Sequence, residues 1–354
     1  MLTLYKATQL VKNTFKWSAI LIGGILVILF LIRGGISLYK VFFPKPPTPP
    51  NVAFGKLPRV SLPKSVVSNK FTYTIDTVSG NLGYFPNMAK VYAIIPKQPN
   101  LLNLEITRLR AQKINFTADE KIISDTVYSW RDSSIFKRKI TFNIVSSDFS
   151  ITSDYLRTPF LFKGNTITPQ EAINLAESTL KSMDLLPEDI DLSKTTTQLL
   201  TLQNSTLFPA TSLSTTQLIR VDFFQKNIDR MPIFYPKPPF STMYFLIGGT
   251  DSRGEIVEGQ FYHQTISNQS ATYPLKLVEQ AFKELQSGKG SIAAYYGTSN
   301  EIVIKNVFLG YYLGSEKQQY LIPIYIFEGK DGFYGYVSAI EDEWFSDDKT
   351  QTLE

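Results

Sequence analysis

The sequence predicts an α+β protein: an N-terminal transmembrane helix, then antiparallel sheets each crossed by a helix. Three observations predict it. Residues 17–32, WSAILIGGILVILFLI, carry no charge. Downstream, stretches alternating with period two recur, rich in the 19 Tyr and 25 Phe that suit half-buried sheet surfaces. Two segments, opening near 167 and 273, instead place apolar residues at helical spacing. With 354 residues, 43% of them hydrophobic, the chain is long enough to bury a substantial core.

Composition excludes several kinds of chemistry. Cysteine is absent and His263 is the single histidine. Disulfides, thiolate catalysis, iron–sulfur clusters and any site needing two histidines from one subunit are ruled out. The net charge of +5 divides unevenly: residues 1–75 hold ten basic residues and no acid before Asp76, leaving 26 basic against 31 acidic residues, a net of −5. A mildly acidic body argues against nucleic-acid binding, which concentrates cations on the folded module.

Residues 1–16 form a short basic segment and residues 17–43 a membrane anchor with Trp17, Ile20, Leu26, Phe30, Ile32 and Arg33 as its signature. The uncharged run spans about 24 Å as a helix. It lengthens through Arg33 and Lys40, whose charged ends snorkel to the interface, while Trp17, Tyr39, Phe42 and Phe43 suit the interfacial belts. No Ala-x-Ala-like site follows, so an uncleaved anchor is expected rather than a signal peptide. The flanking charges are nearly balanced and do not settle orientation. A single anchor followed by a spacer suggests a single-pass cell-membrane protein, N-terminus cytoplasmic and body extracytoplasmic. Residues 44–69 read as a proline-rich stalk, with seven prolines between 44 and 63 favouring extended polyproline II. Pro46 to Pro49 also fits a P-x-x-P ligand.

Residues 70–160 are expected as a β-rich subdomain, with strands in 71–80, 90–96, 121–130 and 137–147; 101–116 is ambiguous. A first helix-plus-sheet subdomain covers 161–265. Its helix opens on a capping box, Thr168-Pro169-Gln170-Glu171, and ends before Leu185-Leu186-Pro187. Strands follow in 195–203, 216–225, 231–235, 241–249 and 255–263. A second helix-plus-sheet subdomain covers 266–345. Its helix is expected to start at Tyr273-Pro274, aligning Leu277, Val278, Ala281, Phe282 and Leu285, and to close at Gly288-Lys289-Gly290. Strands 301–314, 319–329 and 332–340 follow, then an acidic tail, 346–354.

The opening Ile167-Thr168-Pro169-Gln170-Glu171-Ala172-Ile173-Asn174-Leu175-Ala176 resembles the first helix of PepSY-type domains. The segments Val278 to Leu285, Gly288-Lys289-Gly290, Val307 to Tyr312, Tyr320 to Gly329 and Tyr336 to Ile340 resemble YycI/YycH-type envelope regulators, which restrain an essential cell-wall sensor kinase. The resemblance covers roughly 165–340 and rests on structural motifs, so it specifies fold better than function. It implies a bacterial, membrane-anchored, non-enzymatic regulator of the cell envelope.

The candidate chemistry is thin. His263 can be drawn with Asp222 or Glu258 and a serine, but no G-x-S-x-G elbow exists. Glu188, Asp189 and Asp191 lack the calcium-loop pattern. Glu341, Asp342 and Glu343 read as part of a charged terminus, and Gly248, Gly249 and Gly254 as hairpin glycines. No catalytic residue, cofactor or metal is expected. A row of tyrosines, Tyr311, Tyr312, Tyr325, Tyr334 and Tyr336, is the candidate partner-binding surface. The expected function is binding or regulation of another membrane or envelope protein. The alternatives are an envelope hydrolase acting on cell-wall glycan or peptide, or a structural subunit of a surface assembly.

Overall fold

The structure is a computed structural model describing residues 15–18, 21–33, 49–66, 71–162, 167–250 and 254–346. Contacts divide the chain into two units, Met1–Pro49 and Pro50–Glu354. The first contains helix α1 (Phe15–Arg33), 19 residues long, fully exposed, and long and apolar enough to cross a membrane. Trp17, Leu26, Phe30, Ile32 and Arg33 lie on it with their side chains exposed. Ile20 lies outside the described residues.

In chain order the second unit runs β1 (Thr72–Ile75), β2 (Met88–Ile94), α2 (Asn103–Lys113), β3 (Ala118–Ser124), β4 (Val127–Arg131), β5 (Lys139–Asn143), β6 (Phe149–Thr152) and α3 (Pro169–Ser182). It continues through β7 (Thr196–Gln203), β8 (Thr206–Pro209), β9 (Leu218–Asp222), β10 (Ile233–Phe234), β11 (Met243–Gly249), β12 (Gly254–Phe261) and β13 (Ile266–Pro274). It ends with α4 (Val278–Gln286), β14 (Ser291–Ala294), β15 (Glu301–Tyr312), β16 (Tyr320–Gly329) and β17 (Tyr334–Ser338). The architecture is α+β with two sheets. One has nine strands in the order β3-β4-β5-β6-β12-β11-β9-β7-β8, every pair antiparallel. The other has eight strands along β1-β15-β16-β17-β14, with β2 joining β13 to β16. Its pairs are antiparallel except β1 and β10, which both run parallel to β15.

Both sheets cross the boundaries expected from sequence. Strands β3 to β6 share the nine-stranded sheet with β7, β8, β9, β11 and β12, while β1, β2 and β10 belong with the last five strands. Segment 70–160 therefore supplies both sheets and is not a layer of its own. Period-two alternation explains the register. Trp130, Ile140, Phe142, Phe149 and Ile151 point one way and are buried, with the intervening Ser129, Thr141 and Ser150 on the other face. The inward set meets Ala172, Ala176 and Leu180 of α3 and Ala111 of α2, and the same core reaches Tyr92, Tyr311 and Leu321 of the other sheet. A second core lies under α4, where Val278, Ala281, Phe282 and Leu285 meet Tyr325, Phe327 and Val337.

Several local expectations change. The ambiguous stretch 101–116 contains α2, which buries Thr107 and Ala111 while Leu101, Leu102, Ile106 and Leu109 stay exposed. Its apolar spacing misleads because its largest apolar residues face outward. Stretch 121–130 is a hairpin, with a turn between β3 and β4. The second helix starts at Val278, not at Tyr273-Pro274, which end β13; Ala271, Tyr273 and Leu275 are buried at strand spacing.

The proline-rich segment is also different from expectation. Residues 50–66 do not stand off as a stalk but lie along the body as a strap. Val52 N–H donates to the Thr272 carbonyl (3.1 Å), Leu57 N–H to Trp344 (2.8 Å) and Val66 N–H to Ile292 (3.0 Å). Leu57 is fully buried, and Val60 and Leu62 pack on Ala293, Tyr312, Ile324 and Ile326. The apolar residues among the prolines provide the reason: burying them offsets the cost of ordering the segment. Near the other terminus, Phe345 pairs with Leu57 and is buried, so the ordered body extends past residue 345 into the segment expected as a tail.

Candidate functional site

The tyrosine row does not form a binding surface. Tyr311, Tyr312, Tyr325 and Tyr336 are at most 2% exposed and Tyr334 is half-buried. Four of the five hydroxyls have partners: Tyr311 donates to the Lys90 carbonyl (3.0 Å), Tyr325 to Lys276 (2.9 Å), Tyr336 to Tyr235 (3.0 Å) and Tyr334 to Glu328 Oε1 (2.7 Å). Burial pushes the Tyr325 phenol up to about 12. Alternation along β15 to β17 was legible in sequence, but both faces of this sheet are covered: one by α4, the other by the strap and by Phe234. A residue pointing away from the helix therefore still points into a core.

A concavity borders that strap. It is a groove of ≈ 670 Å³ with residues 58–64 on one side and the turn 314–320 on the other. Half-buried Pro236 and Tyr320 supply apolar surface above the buried Tyr312 and Ile322, while Arg59, Lys64, Glu316 and Lys317 bring charge. Pro58, Val60 and Leu62 are half-buried and alternate with exposed Arg59 and Ser61. Arg59 lies over the Phe345 ring, 5.7 Å from its centroid. The opposite turn is stiffened by Gln264, whose Nε2 donates to the carbonyls of Gly314 (3.2 Å) and Glu316 (3.1 Å) and whose Oε1 accepts from Gln318 N–H (2.9 Å). Sequence reasoning missed this groove because the prolines read as a spacer. The signal was the alternation of Pro58, Val60 and Leu62 with Arg59 and Ser61 within it.

The catalytic candidates are taken up by structural contacts. His263 is buried, and its Nε2–H donates to Asp189 Oδ1 at 2.8 Å, neither Asp222 nor Glu258 being its partner. Its backbone N–H donates to Asp148 Oδ1 (3.3 Å), and its ring stacks on Phe261. Gln225 Nε2 donates to Asp189 Oδ2 (2.7 Å) and to the Gln264 carbonyl (3.1 Å), tying this network to the groove's turn. Burial works against the Asp189 carboxylate, yet the bonds from His263 and Gln225 hold it below its ordinary pKa. Burial pushes Asp148 up and Lys97 down; the Lys97 ammonium donates to the Ser146 carbonyl.

Asp222 is gripped by Arg220 through two bonds of 2.7 Å and 2.9 Å, and that guanidinium lies between Phe240 and Tyr244. Glu258 accepts from Tyr155 (2.8 Å) and Tyr244 (2.7 Å) hydroxyls, and burial followed by this carboxylate raises both phenols. The acidic set 188–191 disperses: Asp189 meets His263, Asp191 accepts from Ser193 N–H (3.2 Å), and the Glu188 carbonyl accepts from Lys226. Asp342 pairs with Lys276 (3.3 Å). Gly248 and Gly254 lie at the β11–β12 hairpin, where Phe162 and Ile167 occupy the space a Cβ would need. Among the described residues no three His, Asp or Glu side chains gather as a metal site.

No family model matches the chain, and no curated protein matches it. Among solved structures, the chain is similar to an uncharacterized protein from Eubacterium rectale ATCC 33656, at 14% identity and a TM-score of 0.40, over 81% of this chain and 92% of that one.

Proposed function

We propose that the chain is a membrane-anchored, non-enzymatic binding protein of the bacterial cell envelope that modulates a membrane partner. In this reading α1 crosses the cell membrane once, the N-terminus is cytoplasmic, and the body is extracytoplasmic. The observation that carries it is the place of the groove. One of its walls, residues 58–64, belongs to the segment that joins the anchor to the body. An occupant of the groove touches the connection itself, so binding is coupled to the anchor without chemistry. The engagement of His263, Asp222 and Glu258 in buried pairings supports the same reading. The finer fold reading takes α3 with the nine-stranded sheet as a PepSY-like layer and α4 with the other sheet as a YycI-like layer.

Two measurements test it in sequence. A C-terminal tag should be digested by protease added to intact spheroplasts; protection until lysis defeats the extracytoplasmic reading. Crosslinking in cells should then recover a membrane or envelope protein in stoichiometric yield. Recovery of none, or turnover of cell-wall material by the purified chain that a single carboxylate substitution abolishes, defeats the binding reading.

A further inference from the structure

The groove has a charge pattern and a backbone pattern that agree. Three cations, Arg59, Lys64 and Lys317, border it against one carboxylate, Glu316, which lies 3.5 Å from the Ser61 hydroxyl. Residues 50–66 contain no acid, so nothing in the strap neutralises its own cations. The strap is tied at both ends of the groove, by Leu57 to Trp344 and Ser346 (each 2.8 Å) and by the Ser291 hydroxyl donating to the Pro63 carbonyl. Between those ties, among the described residues, the Arg59 and Ser61 N–H groups donate to no backbone carbonyl. Leu62 N–H donates to the Val60 carbonyl (3.0 Å), a three-residue turn between the ties, so the strap holds its cations on a bent, anchored backbone. Beside it, half-buried Tyr320 and Pro236 offer apolar contact.

We propose that this groove binds an extended acidic peptide segment of a partner protein, laid alongside residues 58–64. The proposal rests on the binding function above and narrows it to a ligand class. Seven strap residues span at most about 23 Å, room for up to roughly seven residues of the partner. That segment's carboxylates meet Arg59, Lys64 and Lys317, and its apolar side chains meet Tyr320 and Pro236. Arg59 retains its hydrogen-bond donors while stacked on Phe345, so the stacking orients it without consuming it.

The test uses the full chain in phosphatidylcholine nanodiscs and three fluorescein-labelled seven-residue probes, with valine alternating with glutamate, serine or lysine. Fluorescence anisotropy should show saturable binding of the glutamate probe alone, weakening as salt rises. Arg59→Glu combined with Lys317→Glu, or Lys64→Glu alone, should weaken it roughly tenfold. Lys56→Glu, on the same strap but outside the groove, should leave it unchanged. Unaltered melting of each exposed charge reversal shows that folding is not the cause. Equal binding of the serine probe, or equal weakening by Lys56→Glu, overturns the proposal. So does loss of probe binding in phosphatidylglycerol nanodiscs that the groove reversals relieve, which assigns the cations to a lipid surface. If crosslinking in cells recovers the same partner from the charge-reversed chain, the groove proposal falls and the binding function stands. If the wild-type chain recovers none, the binding function falls.

Discussion

Helices α3 and α4 each cover a sheet, but they are specified in opposite ways. In α3, 14 residues long, the start is written locally. Thr168 Oγ1 accepts from Glu171 N–H (3.3 Å), the Glu171 carboxylate accepts from Thr168 N–H (2.8 Å), and Pro169 occupies the first position. In α4, nine residues long, Leu277 sits at the N-cap with no side-chain bond and is exposed. What holds α4 is tertiary: four buried apolar residues, and Lys276 just before it, whose fully buried ammonium meets both Glu284 oxygens at 2.9 Å. A local start signal shows where a helix begins in isolation, whereas a packed face and a buried ion pair set it only once the sheet is present.

Five substitutions probe that contrast. Phe282→Ala, which removes a ring packed on Tyr73 and Phe327, should cost about 3–5 kcal/mol in denaturant unfolding of the detergent-solubilised chain. A loss under 1 kcal/mol would mean that α4 does not depend on its buried face. Glu284→Gln leaves the buried ammonium with the mostly exposed Asp342 carboxylate as its one charged partner and should cost about 2 kcal/mol, while Lys276→Met, which removes the charge along with its need for a partner, should cost far less. The reverse ranking breaks the account of α4.

Thr168→Ala in α3 should cost about 1 kcal/mol at neutral pH. The Thr168 N–H and hydroxyl bonds hold the Glu171 carboxyl below its ordinary pKa. Their contribution is therefore present above the unfolded carboxylate's pKa and lost as pH falls through the folded one. The cost of Thr168→Ala should shrink in acid; a pH-independent cost would mean that the box contributes nothing through Glu171. The smallest effect is a gain. Leu277→Asp gives α4 the acceptor it lacks, on extended backbone at φ −62 and ψ 144, and should stabilise by about 0.5 kcal/mol.

The same contrast explains what was legible at the candidate site. The tyrosines of β15 to β17 were correctly seen to alternate, but alternation only separates two faces. It does not say that a proline-rich strap covers the second one. His263 was recognised as a strand-end residue, yet its partner Asp189 lies 74 residues away in a loop that reads as solvent-exposed. The exposed leucines and isoleucine of α2 show the converse, an apolar pattern that folding leaves uncovered.

By itself the sequence determined the features that depend on neighbours along the chain. It marked the uncharged run of α1, the capping box of α3 and most strands of the second unit. Those follow from period, charge and backbone preference within a few residues. Only the tertiary structure decided which strands share a sheet, where α4 begins, that residues 50–66 bind the body, and that the groove lies beside them. Each of those depends on pairing segments far apart in sequence, such as Leu57 with Phe345 or Thr72 with Glu301. Such pairings are selected by the apolar area and hydrogen bonds gained when distant surfaces meet, and no local pattern encodes that gain.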